Sequence, residues 1–233
     1  MNPRPPESQS GALTAELHPP LGKAILHEMT LKGKGLTIIP GAAGADEVGR
    51  GALAGPVVCA AVLLPEDFDV IGLDDSKKLT EAQRKTQAAR IKEGAEWSIC
   101  FIEVEEVDRI NVLQASLQGM IRSCLALKTK PDVLLVDGRD RPNLPGIPVE
   151  AHIKGDGTFA AIAAASILAK VARDDYMKEI AKEFPGYGFE DHVGYAAPIH
   201  LAALKELGPC AIHRRSFEPV KSMLNQPCLS FDE

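Results

Sequence analysis

Six of the ten residues from Ala160 to Ala169 are alanine, in the run Ala160-Ala161-Ile162-Ala163-Ala164-Ala165-Ser166-Ile167-Leu168-Ala169. Alanine is the best helix former, and small side chains let a helix come close to a sheet or a ligand. The run lies inside a longer helical pattern over residues 158–183, so one long helix is expected to press closely on its neighbours. Several segments read as strands. Residues 44–48 and 57–64 are strand patterns joined by a Gly-rich turn, and residues 97–104 make a third. Residues 132–136 form a short apolar run after a proline, the pattern of a buried parallel strand, and residues 149–153 make a fifth. Further helices are expected over residues 80–92, 112–128 and 197–207, with Ser76 or Thr80 capping the first. Three early strands with little helix between the first two predict an antiparallel meander. The later alternation of helix and strand predicts parallel additions. The expected fold class is α/β, a five-stranded mixed sheet flanked by helices, with a helical C-terminal part.

A chain of 233 residues, 45% hydrophobic and 25% charged, has enough apolar material for one good-sized core, and one domain is favoured over two. Pro3, Pro5, Pro6, Pro19 and Pro20 lie in a weakly periodic opening stretch. Residues 1–36 are therefore expected to be an extension, disordered or loosely attached. The folded domain is expected over residues 37–222, followed by a polar tail over 223–233. Cys59, Cys100, Cys124, Cys210 and Cys228 are odd in number and lack zinc-ligand spacing, so buried or idle thiols are expected. No apolar run approaches the length of a membrane span, and the N-terminus does not resemble a signal peptide, which predicts a cytoplasmic protein. A net charge of −6 argues against a protein that coats nucleic acid non-specifically, but leaves room for a local basic groove.

Acidic residues occur where an acid is costly. Asp46 and Glu47 interrupt a Gly/Val-rich strand pattern, and Asp137 ends the apolar run Val133-Leu134-Leu135-Val136. The C-terminal ends of strands in open α/β sheets are where ligands bind. If the two strands are neighbours, about 4.8 Å apart, Asp46 and Asp137 could share a cation. Like charges that close otherwise repel or take up a proton. Oxygen ligands favour Mg²⁺ or Mn²⁺ over zinc. Each acid alone is equally readable as a turn or cap residue. Asp46 and Glu47, being adjacent, should point to opposite faces of a regular strand. Either Gly49 permits a bulge, or the Glu47 carbonyl or its longer side chain reaches around. Asp156, just before the alanine-rich helix, reads first as a helix cap. Asp174 and Asp175 are expected to face solvent or to pair with Arg173.

Gly49-Arg50-Gly51 directly follows the acidic pair; its glycines let backbone N–H groups approach a ribose or phosphate, and Arg50 adds a planar fork. Lys77, Lys154 and Arg214 lie in other basic loops which, converging, would make the footprint of a duplex binder. Tyr195 is an aromatic on a flexible turn, able to pack on a sugar or base. Tyr187 and Phe189 read more readily as local packing. His192 and His200 lack convincing metal spacing and read as structural.

The strings Gly44-Ala45-Asp46-Glu47-Val48-Gly49-Arg50-Gly51 and Leu53-Ala54-Gly55-Pro56-Val57-Val58 resemble the opening signature of ribonuclease HII. The likeness continues through Leu73-Asp74-Asp75-Ser76-Lys77-Lys78-Leu79, Val136-Asp137-Gly138, Lys154-Gly155-Asp156 and the alanine-rich run. It ends at Gly194-Tyr195, His200 and His213-Arg214-Arg215-Ser216-Phe217, spanning residues 39–220. The resemblance implies an RNase H-like fold and four catalytic, metal-binding acids at Asp46, Glu47, Asp137 and Asp156. This promotes Asp156, which spacing alone left as a cap. It further implies that Gly49, Arg50 and Gly51 read a 2′-hydroxyl and that Tyr195 packs on the adjoining sugar; Lys77, Lys154 and Arg214 are candidate substrate contacts from the basic loops alone. The implied partner is an RNA–DNA hybrid, or duplex DNA carrying single ribonucleotides. The implied chemistry is two-metal hydrolysis with Mg²⁺ or Mn²⁺, leaving 5′-phosphate and 3′-hydroxyl ends. The related ribonuclease HIII group carries Lys at the Arg50 position and a folded N-terminal domain. The chain departs from the usual pattern at Val193, where Lys is common, at Ala197, where Thr is common, and at Ala52, where Pro is common. A monomer without membrane contact is expected. A DNA-only nuclease or phosphatase and a non-catalytic hybrid-binding module are the alternatives.

Overall fold

Small residues dominate the middle strand, and they decide how closely the rest can pack. The computed structural model describes residues 35–225. Most of the extension expected over residues 1–36, the end of the tail expected over 223–233, and Cys228 lie outside them. β1 (Ala42–Val48) is central in a five-stranded sheet with β2 (Val57–Leu63), β3 (Glu96–Ile102), β4 (Val133–Asp137) and β5 (Val149–His152). The strand order is β3-β2-β1-β4-β5. β1 pairs antiparallel with β2, and β2 with β3, giving the expected meander. β4 adds parallel to β1 and β5 parallel to β4, giving the mixed sheet.

Both sheet faces are covered. Ala43 and Ala45, with Cys59 and Ala61 beside them, pack against Ala115, Met120 and Cys124 of α3 (Val112–Leu125). Ala60 and Val62 face the other way, toward α1 (Glu81–Gly94) and the long α4 (Ala160–Glu183). A Cβ at Gly44 would collide with the Ala161 and Ile162 backbone, so glycine in the strand and alanine in the helix together permit this contact. Every residue from Ala160 to Ala169 is buried. That burial explains why the first half of α4 has no polar face.

Thr80 caps α1 as expected. Its hydroxyl accepts from the Gln83 N–H at 3.3 Å while the Gln83 side chain accepts from the Thr80 N–H at 2.8 Å. The third strand ends at Ile102 rather than 104, because Val104 begins a helix, α2 (Val104–Ile110), that buries Val104 and Val107 on one face. The long helix starts at Ala160 rather than 158, because Gly155–Gly157 forms a separate 3₁₀ turn. Beyond it lie α5 (Phe189–His192), α6 (Pro198–Leu207) and α7 (Val220–Leu224), which supply the helical C-terminal part. Cys59, Cys100, Cys124 and Cys210 are free thiols. Among the described residues no helix is long and apolar enough to cross a membrane.

Two predictions concern packing and capping. Gly44→Ala should lower stability by about 2 kcal/mol or more, since neither backbone can yield cheaply; chemical denaturation reads it. Ala197 sits at the N-cap of α6 with no side-chain bond. Ala197→Thr should therefore add about 1 kcal/mol in the same measurement.

Candidate active site

The parallel pairing of β1 and β4 runs through Ala45 opposite Val136. One residue further on are Asp46 and Asp137. Neighbours in parallel strands share a face, so the two carboxylates leave the sheet side by side, about one strand spacing apart. Glu47 differs. Its register continues unbroken, with Asp46 opposite Ala60 and Glu47 opposite Cys59, so there is no bulge. The longer Glu47 side chain nevertheless lines the same cleft, which encloses about 240 Å³ between Asp46, Glu47, Asp137, Ser166 and Tyr195. Ser76, Lys77 and Lys170 line it as well.

Burial makes these acids unusual. Asp46 is 7% exposed, and burial, then Glu47, hold its carboxyl well above the ordinary carboxylate range, with Asp137 adding to the effect. Burial also raises Glu47, opposed by the Arg50 guanidinium 3.1 Å away. Asp156 lies in the 3₁₀ turn, also 7% exposed, and is raised by burial and then by Asp137 and Asp75, with Lys77 opposing. Asp156 is thus within electrostatic reach of the same group.

Each carboxylate of the trio accepts one N–H. Asp46 accepts from the Glu47 backbone at 2.8 Å, Glu47 from Arg50, and Asp137 from the Gly155 backbone at 2.7 Å. In this arrangement no three His, Cys, Asp or Glu side chains among the described residues close around a common point. The donor set itself suits a hard divalent cation: buried oxygen ligands, too much negative charge, and too few cations to balance it. Arg50 is committed to Glu47, and Lys170 to Asp174 at 2.8 Å.

The remaining sequence-derived residues separate into two groups. Gly49, Arg50 and Gly51 form the turn after β1, and a Cβ at Gly51 would lie 3.9 Å from the Tyr195 ring. Tyr195 is 36% exposed, and Lys77 and Lys154 are exposed close to the acids. Arg214 is placed differently from a surface contact. It is fully buried and donates to the carbonyls of Gly55 and Arg50, which leaves its guanidinium no face for a phosphate. Burial and the neighbouring Arg173 pull Arg214 down to about 9, so it stays charged at neutral pH. Arg173 is also fully buried and does not pair with Asp174 or Asp175. Asp174 instead meets Lys170 and Arg84, and Asp175 meets Lys85.

The histidines hold Tyr195 from behind, a role the sequence indicated only as structural. His200 Nδ1 faces the Tyr195 carbonyl at 2.8 Å and must carry the proton there. His200 Nε2 then accepts from His213 Nε2 at 3.0 Å, and His213 Nδ1 accepts from the Cys210 backbone N–H at 2.9 Å. The bonding partners thus assign both tautomers. His192 likewise donates to the Tyr187 carbonyl at 2.9 Å and accepts from the Gly194 N–H at 3.2 Å. Val193 between them adopts a left-handed φ of 45°, costly for a β-branched residue. Ser166 and Ser76 are another pair not foreseen. Their hydroxyls meet at 2.9 Å, docking the loop that carries Lys77 onto α4 beside Asp46.

A family model described as Ribonuclease HII matches residues 43–220. A ribonuclease HII from Nitrosococcus oceani is 51% identical over 184 residues, 78% of this chain and 90% of that protein. The crystal structure of ribonuclease H2 from Pyrococcus horikoshii is similar with a TM-score of 0.66 and 25% identity, covering 78% of this chain and 96% of that one. A PCNA complex of RNase HII from Archaeoglobus fulgidus contains a chain similar with a TM-score of 0.62 and 27% identity, covering 81% and 98%.

Acid should test the histidine chain. Burial, then His200, hold His213 down to about 4. A base depressed by folding is neutral in both states above its unfolded value, near 6.5, and below that only the unfolded chain takes the proton. Stability should therefore fall as pH drops from about 6.5 to 4, by at most about 3 kcal/mol from this group. His213→Gln should flatten that part of a denaturant–pH profile.

Proposed function

Because this chain belongs to the ribonuclease HII family, a family of nucleases acting on RNA–DNA hybrids, we propose that it cuts such hybrids at the cleft formed by Asp46, Glu47 and Asp137, with residues 37–222 as the catalytic unit. The proposal extends to single ribonucleotides embedded in duplex DNA. The observation that carries it is the adjacency of Asp46 and Asp137 on parallel strands, with a third acid at the same mouth.

Mg²⁺ or Mn²⁺ ions held by Asp46, Asp137, Glu47 and Asp156 would supply an acidified water and neutralise the charge on the leaving oxygen. The water oxygen bonds to phosphorus and the bond from phosphorus to the 3′-oxygen breaks, leaving a 5′-phosphate and a 3′-hydroxyl. The chain's own groups orient the substrate. Among the described residues the N–H groups of Arg50 and Gly51 have no acceptor within the chain, so they are free to meet a ribose hydroxyl or phosphate. The Tyr195 ring beside Gly51 offers a flat surface for a sugar, and Lys77 and Lys154 offer charge to phosphates. The 2′-hydroxyl is read here, and water is the nucleophile.

The test compares a duplex containing one ribonucleotide with an all-DNA duplex, each with Mg²⁺ and with Mn²⁺. Wild type should cut only the ribonucleotide-containing strand, and a chelator should abolish cutting. Asp137→Asn should lose about 10³-fold or more in rate, the scale of removing a catalytic group, while binding persists. Equal cutting of all-DNA duplex, or none with either metal, rejects the reading.

A further inference from the structure

Two guanidinium groups with no solvent exposure lie beneath the turn that follows β1. Arg173 donates from Nε to the Pro56 carbonyl at 3.0 Å, from Nη2 to the Ala54 carbonyl at 3.1 Å, and from Nη1 to the Val193 carbonyl at 2.8 Å. Arg214 donates from Nε and Nη2 to the Gly55 carbonyl, at 3.0 and 2.8 Å, and from Nη1 to the Arg50 carbonyl at 2.9 Å. All of these acceptors are main-chain oxygens, and neither arginine has a carboxylate partner within salt-bridge distance among the described residues.

Burying two neighbouring like charges with no carboxylate in direct contact is expensive, and apolar side chains of similar volume would fill the space at lower cost. Stability alone is therefore a poor reason for them. What they do is hold carbonyls. Five oxygens, those of Arg50, Ala54, Gly55, Pro56 and Val193, are turned inward onto the two forks. Among the described residues the Arg50 and Gly51 N–H groups are left without acceptors. Arg173 also joins two segments, since Val193 belongs to the turn that carries Tyr195. Its guanidinium carbon lies 5.4 Å from the centre of the Tyr195 ring. The local backbone is fitted around the forks: Gly49 has a φ of 90°, and a Cβ there would strike Arg173 Nε.

We propose that Arg173 and Arg214 are positioning residues that hold the Gly49–Pro56 turn and Tyr195 at the spacing needed to read a ribose, without touching substrate themselves. The proposal rests on the hydrolytic reading for its substrate, but its structural half stands independently. Asp46 and Asp137 are fixed by strand pairing and not by these arginines, and Arg214 reaches Glu47 only indirectly, through the Arg50 backbone, so the forks bear chiefly on recognition.

Arg173→Lys and Arg214→Lys keep the charge and lose the planar fork, which a single ammonium cannot reproduce. Ile91→Ala is the control, a buried residue of α1 whose loss destabilises the fold away from the turn. In the free protein, hydrogen exchange of peptides spanning residues 49–56 and 193–195 should quicken by about tenfold in either lysine variant, and little in the control at matched stability. On a duplex with one ribonucleotide, KM should rise by about tenfold or more while kcat stays within about threefold. Unchanged exchange in those peptides overturns the proposal, as does an equal rise in KM for Ile91→Ala. A wild type that cuts no ribonucleotide-containing duplex defeats the hydrolytic reading only; the exchange comparison then still decides whether the forks hold the turn.

Discussion

The parallel pairing of β1 with β4 is the constraint on which the site depends. Two carboxylates from residues 91 positions apart in sequence, Asp46 and Asp137, become next-door neighbours only because Ala45 lies opposite Val136. The pairing holds because both strands are buried on both faces, with small side chains in β1 and branched ones in β4. A slip of one residue would turn every alanine toward the wrong layer. The placement of the two carboxylates at the strand ends is thus protected by packing along their length.

Close packing on β1 has an electrostatic result. α4 approaches near enough that Gly44 has no room for a methyl group, and Ser166 on that helix lies close enough to Asp46 to ease its ionisation slightly. Most of the effect runs the other way, since burial and the neighbouring acids all penalise charge on Asp46. A cleft in this condition favours whatever brings positive charge. Divalent ions do so while also ligating oxygen. Glu47, meanwhile, is held by Arg50, whose backbone is itself held by Arg214.

Much of this was legible in the sequence. The five strands, their meander and parallel additions, and the long small-residue helix follow from periodicity, turn residues and side-chain size. So do Asp46 and Asp137, because an acid at the end of an apolar strand contradicts its surroundings. The route taken by Glu47 was left open by periodicity and is resolved by an unbroken register. Asp156 is a candidate only through the family resemblance, since a cap before a helix is the readier explanation of an acid there. Arg173 and Arg214 are held in a way their local sequence does not reveal. Local sequence offered Asp174 and Asp175 as partners for the first and a basic loop for the second. Their true partners are carbonyls 117 and 119 residues away for Arg173 and 159 and 164 residues away for Arg214. Backbone acceptors leave no mark in side-chain patterns.

That the two buried forks bond only to main-chain oxygens among the described residues affects how the protein meets its solvent. Amide oxygens carry no net charge and do not titrate, and ions in bulk water hardly screen contacts from which water is excluded. The geometry of the turn is thereby insulated from ionic strength and from mild changes in acidity. On the proposed function, a response of nucleic-acid binding to added salt would report the exposed lysines and the phosphate backbone rather than a loosened scaffold.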